Sequence, residues 1–424
     1  MPTSRNPRAG AAACCGLLLA LLVPSVAAAQ DRPADTPERA AVLAAARDEK
    51  AAEAAPPERP AVEKALYWYD NQYLFAKIFG GWNGIHLAGG DFPAGAGMKF
   101  GVGYTRGLGS IAGEDTRRRV EIDSAAAYST RGYTRGMAGL TVNRIGGAPV
   151  DVRVRGQYYE FPQEDFFGLG PDSTTENRTD YLLRSSEAGA ELRWKPARKL
   201  DLVGGVAYLQ PTIGSGTDSR YPSTEEIFGA AGVPGLSAQP DFLRSQAAAA
   251  FDWRDNPQHP KAGGRYAAQF SDFRDQNLDA YSFRQLDLDL QQYVPLPNQY
   301  RTIALRAAAV FTDPRRGHDV PFYYQPTLGG SQELRGFREF RFRDRNSLSL
   351  TAEYRWEAAW LLDGALFVDA GKVARERADL NFRDLDVSYG VGFRVHSNRA
   401  FVTRLDLAFS REGFIPMLRF EHVF

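Results

Sequence analysis

Residues Ser347 to Trp356 read S-L-S-L-T-A-E-Y-R-W. Leu348, Leu350, Ala352, Tyr354 and Trp356 fall on one face of an extended chain; Ser347, Ser349, Thr351, Glu353 and Arg355 fall on the other. Successive side chains of a strand point to opposite sides, so a period of two with one apolar face marks a half-buried strand. The same scheme recurs around it. Leu286, Leu288, Leu290 and Val294 oppose Gln285, Asp287, Asp289 and Gln291. Ile303, Leu305, Ala307, Ala309 and Phe311 oppose Arg306, and Val387, Tyr389, Val391, Phe393 and Val395 oppose Asp386, Ser388 and Arg394. In F-V-T-R-L-D-L-A-F-S, Arg404 and Asp406 share the polar side.

These runs are about 9 to 12 residues long, the length that crosses a bilayer as a tilted strand. A soluble sandwich would pack its apolar faces together and leave the polar faces in water. A transmembrane barrel places the apolar face in lipid and the charged face in a wet lumen. The mean hydropathy of −0.37 suits a soluble protein, but alternation hides lipid-facing residues from an average. Counting back from Phe424 gives about 16 strands, an even number. The first is expected near G-G-W-N-G-I-H-L-A-G-G. The last is expected to be M-L-R-F-E-H-V-F, with Leu418, Phe420, His422 and Phe424 outward. Short connections such as K-P-A-R-K and H-S-N-R-A alternate with long ones such as the stretch after Gln210. Turns at one barrel end and loops at the other produce that alternation. The expected fold class is therefore all-β, a transmembrane antiparallel β-barrel over residues 67–424.

The N-terminus agrees with an envelope address. Arg5 and Arg8 precede an apolar run that closes on Ala27, Ala28 and Ala29. A basic start, a short apolar core and a small-residue close describe a secretory signal peptide over residues 1–29. Pro24 argues against an anchor helix. Residues 30–66 hold little apolar bulk to offset ordering entropy, so they read as a disordered periplasmic linker. Both cysteines, Cys14 and Cys15, lie in the signal. The five histidines show no metal-ligand spacing, and no G-x-S-x-G nucleophile motif occurs. No metal, cofactor or catalytic residue is expected, and the chain is read as a non-enzyme.

One stretch resists this scheme. Gly329 to Asn346 reads G-G-S-Q-E-L-R-G-F-R-E-F-R-F-R-D-R-N, with Arg335, Arg338, Arg341, Arg343 and Arg345 among Phe337, Phe340 and Phe342. Arginine among aromatics also suits single-stranded nucleic-acid binders. Against that, the chain carries 51 basic and 51 acidic residues, and the stretch lies between membrane strands, so no nucleic acid is expected. A solvated, mobile loop is the plain alternative.

The tip Leu334, Arg335, Gly336 and Phe337 resembles the V-R-G-F/Y tip of the long sixth extracellular loop in the BamA/TamA superfamily, the bacterial surface antigen barrel. Three neighbours carry the resemblance further. The next strand brings Glu353, the following one F-V-D-A-G with Phe367, Asp369 and Gly371, and upstream stand Arg254, Asp255, Asn256, Pro257, Pro260 and Gly263. The resemblance implies a loop folded back into the lumen, its Arg335 meeting Asp369 and Glu353, with Gly336 permitting close approach. Glu333, Glu339, Asp344 and other lumen acids are expected to pair with the other arginines. It implies bacterial outer-membrane localisation, with outer-membrane lipids and the barrel-assembly machinery as partners, the latter reading Phe420, His422 and Phe424. It also implies insertion or translocation of a client polypeptide or a lipid, through a weak seam between first and last strands. Residues 30–66 read as too short for the family's periplasmic POTRA domains, so a barrel-only form is expected. The alternative function is a passive pore gated by the lumen loop.

Overall fold

The computed structural model describes residues 42, 45 and 83–419, apart from 89–91, 94, 108–119, 230–231, 298–299, 360–361 and 397–400. The expected leader, nearly all of the expected linker, and Phe420, His422 and Phe424 lie outside the described residues.

Among the described residues, sixteen strands form one sheet in chain order, each antiparallel to its neighbours. The first half comprises β1 (Ile85–Leu87), β2 (Lys99–Gly107), β3 (Val120–Ser129), β4 (Thr134–Val142), β5 (Val150–Phe166), β6 (Thr179–Ala197), β7 (Leu200–Ser215) and β8 (Phe242–Asp252). The next three are β9 (Gly263–Asp275), β10 (Phe283–Pro295) and β11 (Arg301–Pro314). A long connection follows, holding a two-stranded ribbon of β12 (Thr327–Leu328) and β13 (Phe342–Arg343). The sheet resumes with β14 (Asn346–Ala359), β15 (Leu362–Ala374), β16 (Asp386–His396), β17 (Phe401–Ser410) and β18 (Gly413–Arg419). The expected strand number and all-β class are found. Among the described residues, no helix is long and apolar enough to cross a membrane, which does not bear on crossing by strands.

The outward face carries exposed apolar side chains strand after strand. They run from Val102 through Leu140, Val154, Leu192, Val206, Phe270, Leu305, Leu366 and Tyr389 to Leu405 and Leu418. An apolar surface that continuous belongs against lipid. The inward face holds the polar half of each alternation. The sheet is curved enough for one loop to reach strands far apart in its order. Arg343 donates to the Tyr181 hydroxyl on β6, while Arg335 donates to Asp369 on β15.

Three strand lengths and one strand start differ from expectation. β5, β6 and β7 run to 17, 19 and 16 residues, well past the length that spans lipid. Their extra turns leave the apolar belt. Outward Glu160 pairs with Arg184 at 2.8 Å, and Tyr208 donates to Asp241 at 2.7 Å. On the inner side, Phe166, Tyr181 and Ile213 pack with Val233, Leu236 and Phe322 from the loops. Loop packing therefore keeps these strands paired beyond the membrane. The last strand also starts earlier than expected, at Gly413, so that Pro416 lies inside it.

Candidate functional site

The connection from β11 to β14 is the sixth at its end of the sheet. Its fold depends on backbone conformations that bulky residues resist. Gly329 has φ 118°, and a Cβ there would stand 2.1 Å from the Arg338 carbonyl oxygen. Gly329 and Gly330 thus let the chain leave β12 and double back to β13. Leu334, Phe337 and Phe342 bury against Leu328 and against Val373 of β15, which fixes the loop on the inner wall.

Burial of Leu334 and Phe337 carries Arg335 inward. Its side chain is fully buried. Nε and Nη2 donate to the two oxygens of Asp369 at 2.9 and 2.7 Å, a bidentate geometry, and the Arg335 backbone N–H adds a third bond to the same carboxylate. Nη1 donates to Glu353. The guanidinium lies 3.5 Å from the centroid of the Phe367 ring, as a desolvated cation–π contact. Burial alone would lower the pKa of Arg335; Asp369 and Glu353 outweigh it and hold the value above its ordinary level. Gly336 passes the wall so closely that a Cβ would sit 2.7 Å from the Cβ atoms of Ser388 and Ser410. Its carbonyl accepts from Ser410 Oγ at 2.6 Å. Gly371 lies beneath the ribbon, where an added Cβ would meet Leu328 at 3.1 Å.

The cluster is wider than the sequence suggested. Glu353 also accepts from Arg355 at 2.6 Å and from Arg394 at 2.9 Å. Asp406 lies 3.2 Å from both Arg394 and Arg404, and Arg404 donates to the Ser331 carbonyl at 2.7 Å. Ser388 donates to Asp369. Alternation placed Arg394, Arg404 and Asp406 on inner faces. Only the register, with Arg394 opposite Arg404 and Gly392 opposite Asp406, brings them together.

Of the other loop arginines, Arg341 and Arg345 pair with acids other than Glu333, Glu339 and Asp344. Arg341 donates to Glu412 in the last turn at 2.6 Å and to the Ser173 carbonyl at 2.7 Å. Arg343 donates to the Phe322 carbonyl and lies among the rings of Phe166, Tyr181, Phe322 and Phe340. Phe340 thus packs on Arg343, and Phe367 is the ring against Arg335. Arg345 pairs with Asp319 at 2.6 Å. Glu339 lies 3.6 Å from Arg419, and Arg338 is exposed. Half-buried Glu333 has its carboxyl pushed up to about 7, first by burial and then by Glu339, Asp289 and Asp369, against the pull of Arg306.

The upstream motif serves a turn. Asp255 accepts from the backbone of Asn256, Lys261 and Ala262, while Arg254 grips Asp252 at 2.8 Å. Gly263, at φ 92°, clears the Trp253 carbonyl where a Cβ would come within 2.3 Å. Below the loop lies a cavity of about 630 Å³, lined by Arg193, Gln246, Arg265, Asp287, Arg306 and Glu333 among others. Among the described residues, no group of acids, histidines or cysteines could hold a metal ion.

Residues 236–413 match the Omp85 superfamily domain, a span that holds β8 to β17 and the whole Arg335 loop. Among solved structures, BamA from Haemophilus ducreyi lacking POTRA domains 1–3 is similar at a TM-score of 0.58 and 12% identity, over 84% of this chain and 78% of that one. CdiB from Acinetobacter baumannii gives a TM-score of 0.44 at 10% identity, over 79% of this chain and 57% of that one. CdiB from Escherichia coli gives 0.46 at 12%, over 78% and 59%. The fold assignment rests on the first of these. No curated protein matches the chain.

Proposed function

We propose that this chain, whose residues 236–413 match the Omp85 superfamily domain, is an outer-membrane β-barrel of that superfamily and assists insertion or translocation of a polypeptide, or of a lipid, at the outer membrane. The observation that carries this reading is the state of the sheet's two ends. β1 is three residues long, and among the described residues β1 and β18 each pair with one neighbour only. An unpaired strand edge is a template for another chain. In lipid every backbone group must find a partner. A client strand that pairs there satisfies its own N–H and C=O groups while it enters the membrane. The Arg335 cluster supports the same reading, because it holds β14 to β17 as one rigid wall beside the edge. The role is non-enzymatic, with membrane lipids around the barrel and the assembly machinery acting on it during biogenesis.

A second reading, a passive pore constricted by the loop, has one observation in its favour: the charged cavity below the loop. Reconstitution separates the two. Liposomes holding the purified protein should speed the folding of an added unfolded barrel protein relative to empty liposomes. Steady ionic conductance with no such acceleration would favour the pore.

A further inference from the structure

The last hairpin fixes which backbone groups face the sheet's outer edge. Ser410 stands opposite Gly413 across the two residues Arg411 and Glu412. A pair flanking so short a turn must exchange both backbone hydrogen bonds, and bonded and non-bonded pairs then alternate along an antiparallel ladder. Ala408 with Ile415, Asp406 with Met417 and Arg404 with Arg419 are accordingly bonded pairs. Phe409 with Phe414, Leu407 with Pro416 and Leu405 with Leu418 are not. On β18, therefore, Phe414, Pro416 and Leu418 turn their backbone groups outward, where no strand pairs among the described residues. Proline has no N–H. This explains how Pro416 sits within a strand, since no bond to β17 is lost. It also leaves the outer edge with a donor at Phe414, a donor at Leu418 and none between them.

We propose that Pro416 keeps this edge exchangeable. The occupant is an antiparallel strand of a membrane-barrel client. Phe414 and Leu418 are 51% and 62% exposed and point to lipid, while Ile415 and Met417 face inward, half-buried. A partner strand with the same alternation continues both faces. Its carbonyl opposite Pro416 goes unpaired at membrane depth, which weakens its hold by about tenfold or more. Pairing thus stays reversible, as a client that must later leave requires. Proline on an edge also blunts edge-to-edge association of copies. The inference rests on the insertion reading for its occupant, but the missing donor can be tested without a client.

The test uses the full-length protein in lipid nanodiscs. Pro416→Ala restores the donor. Without client, amide exchange at Phe414 and Leu418 should slow by about tenfold as the edge closes on whatever strand lies beside it. With a small unfolded barrel protein as probe and a photo-crosslinker at Leu405, the variant should hold the probe about tenfold longer than wild type. Pro416→Ala combined with Leu418→Pro moves the gap to the next edge-facing donor and should return exchange at Phe414 and retention of the probe toward wild type. Exchange unchanged in Pro416→Ala overturns the role of Pro416, whatever the probe does. Slowed exchange with no probe captured by either form leaves that role standing and counts against the insertion reading alone. Dimers of the variant joined along β18 would support the missing donor as what keeps copies apart.

Discussion

The guanidinium of Arg335 lies 3.5 Å from the centroid of the Phe367 ring and closes both oxygens of Asp369, two residues further along the same strand. One inward face of β15 therefore supplies both a ring and a carboxylate to the loop tip. With no solvent at the contact, removing one side leaves a buried charge without its partner.

Arg335→Ala should destabilise the docked loop by about 3–5 kcal/mol. The heat-induced shift in gel mobility should fall to lower temperature, and added protease should cut near Arg338. Asp369→Ala should behave alike, and the double variant should be no worse than the more severe single one, since both remove one interaction. Arg335→Lys should rescue poorly, because an ammonium cannot span Asp369 and Glu353 together. Fully additive losses would show that the two residues act separately.

Arg341 joins three elements: the β11–β14 loop, the β5–β6 connection through Ser173 and the β17–β18 turn through Glu412. Glu412→Ala removes only the last tie, so it should loosen the last hairpin and leave the loop in place. Arg341→Ala should loosen both. Amide exchange across β18 and across residues 167–178 separates these outcomes.

Glu333 predicts a pH dependence of stability. Its folded pKa of about 7 lies above the ordinary 4.5. The folded state therefore binds more protons than the unfolded one between these values, and stability falls as pH rises through that window. Glu333→Gln should flatten the profile between pH 4.5 and 7 and raise stability at pH 8 relative to wild type. A profile unchanged by the substitution would show that Glu333 is not the group responsible.

Residues 31–60 are proposed to be a linker that the barrel does not need. Deleting Asp31 to Pro60 behind a functional signal should leave a heat-modifiable barrel, because the segment has few residues suited to burial. Failure to assemble would reveal a folded or docking module there.

Much of this was legible in the sequence because strand alternation is local. Leu348 and Ser349 declare their faces without any knowledge of their neighbours. The length of β5 was not, since Phe161 to Phe166 stay in a strand through packing by loops distant in sequence. The start of β18 was hidden for a different reason. Proline reads as a strand breaker, and only the hairpin phase shows that Pro416 gives up no bond to β17. Arg335, Glu353 and Asp369 came from motifs. Arg394, Arg404 and Asp406 carried no motif, and their contact is a matter of register between β16 and β17.

The most direct test of the proposed function is depletion of the protein in its native host, followed by quantification of outer-membrane proteins, secreted proteins and lipids. Insertion or translocation predicts loss of one or more of these from the outer membrane or the medium, restored by wild-type protein and not by the Arg335→Ala form. An unchanged complement of proteins and lipids, accompanied by altered uptake of small solutes, would contradict it.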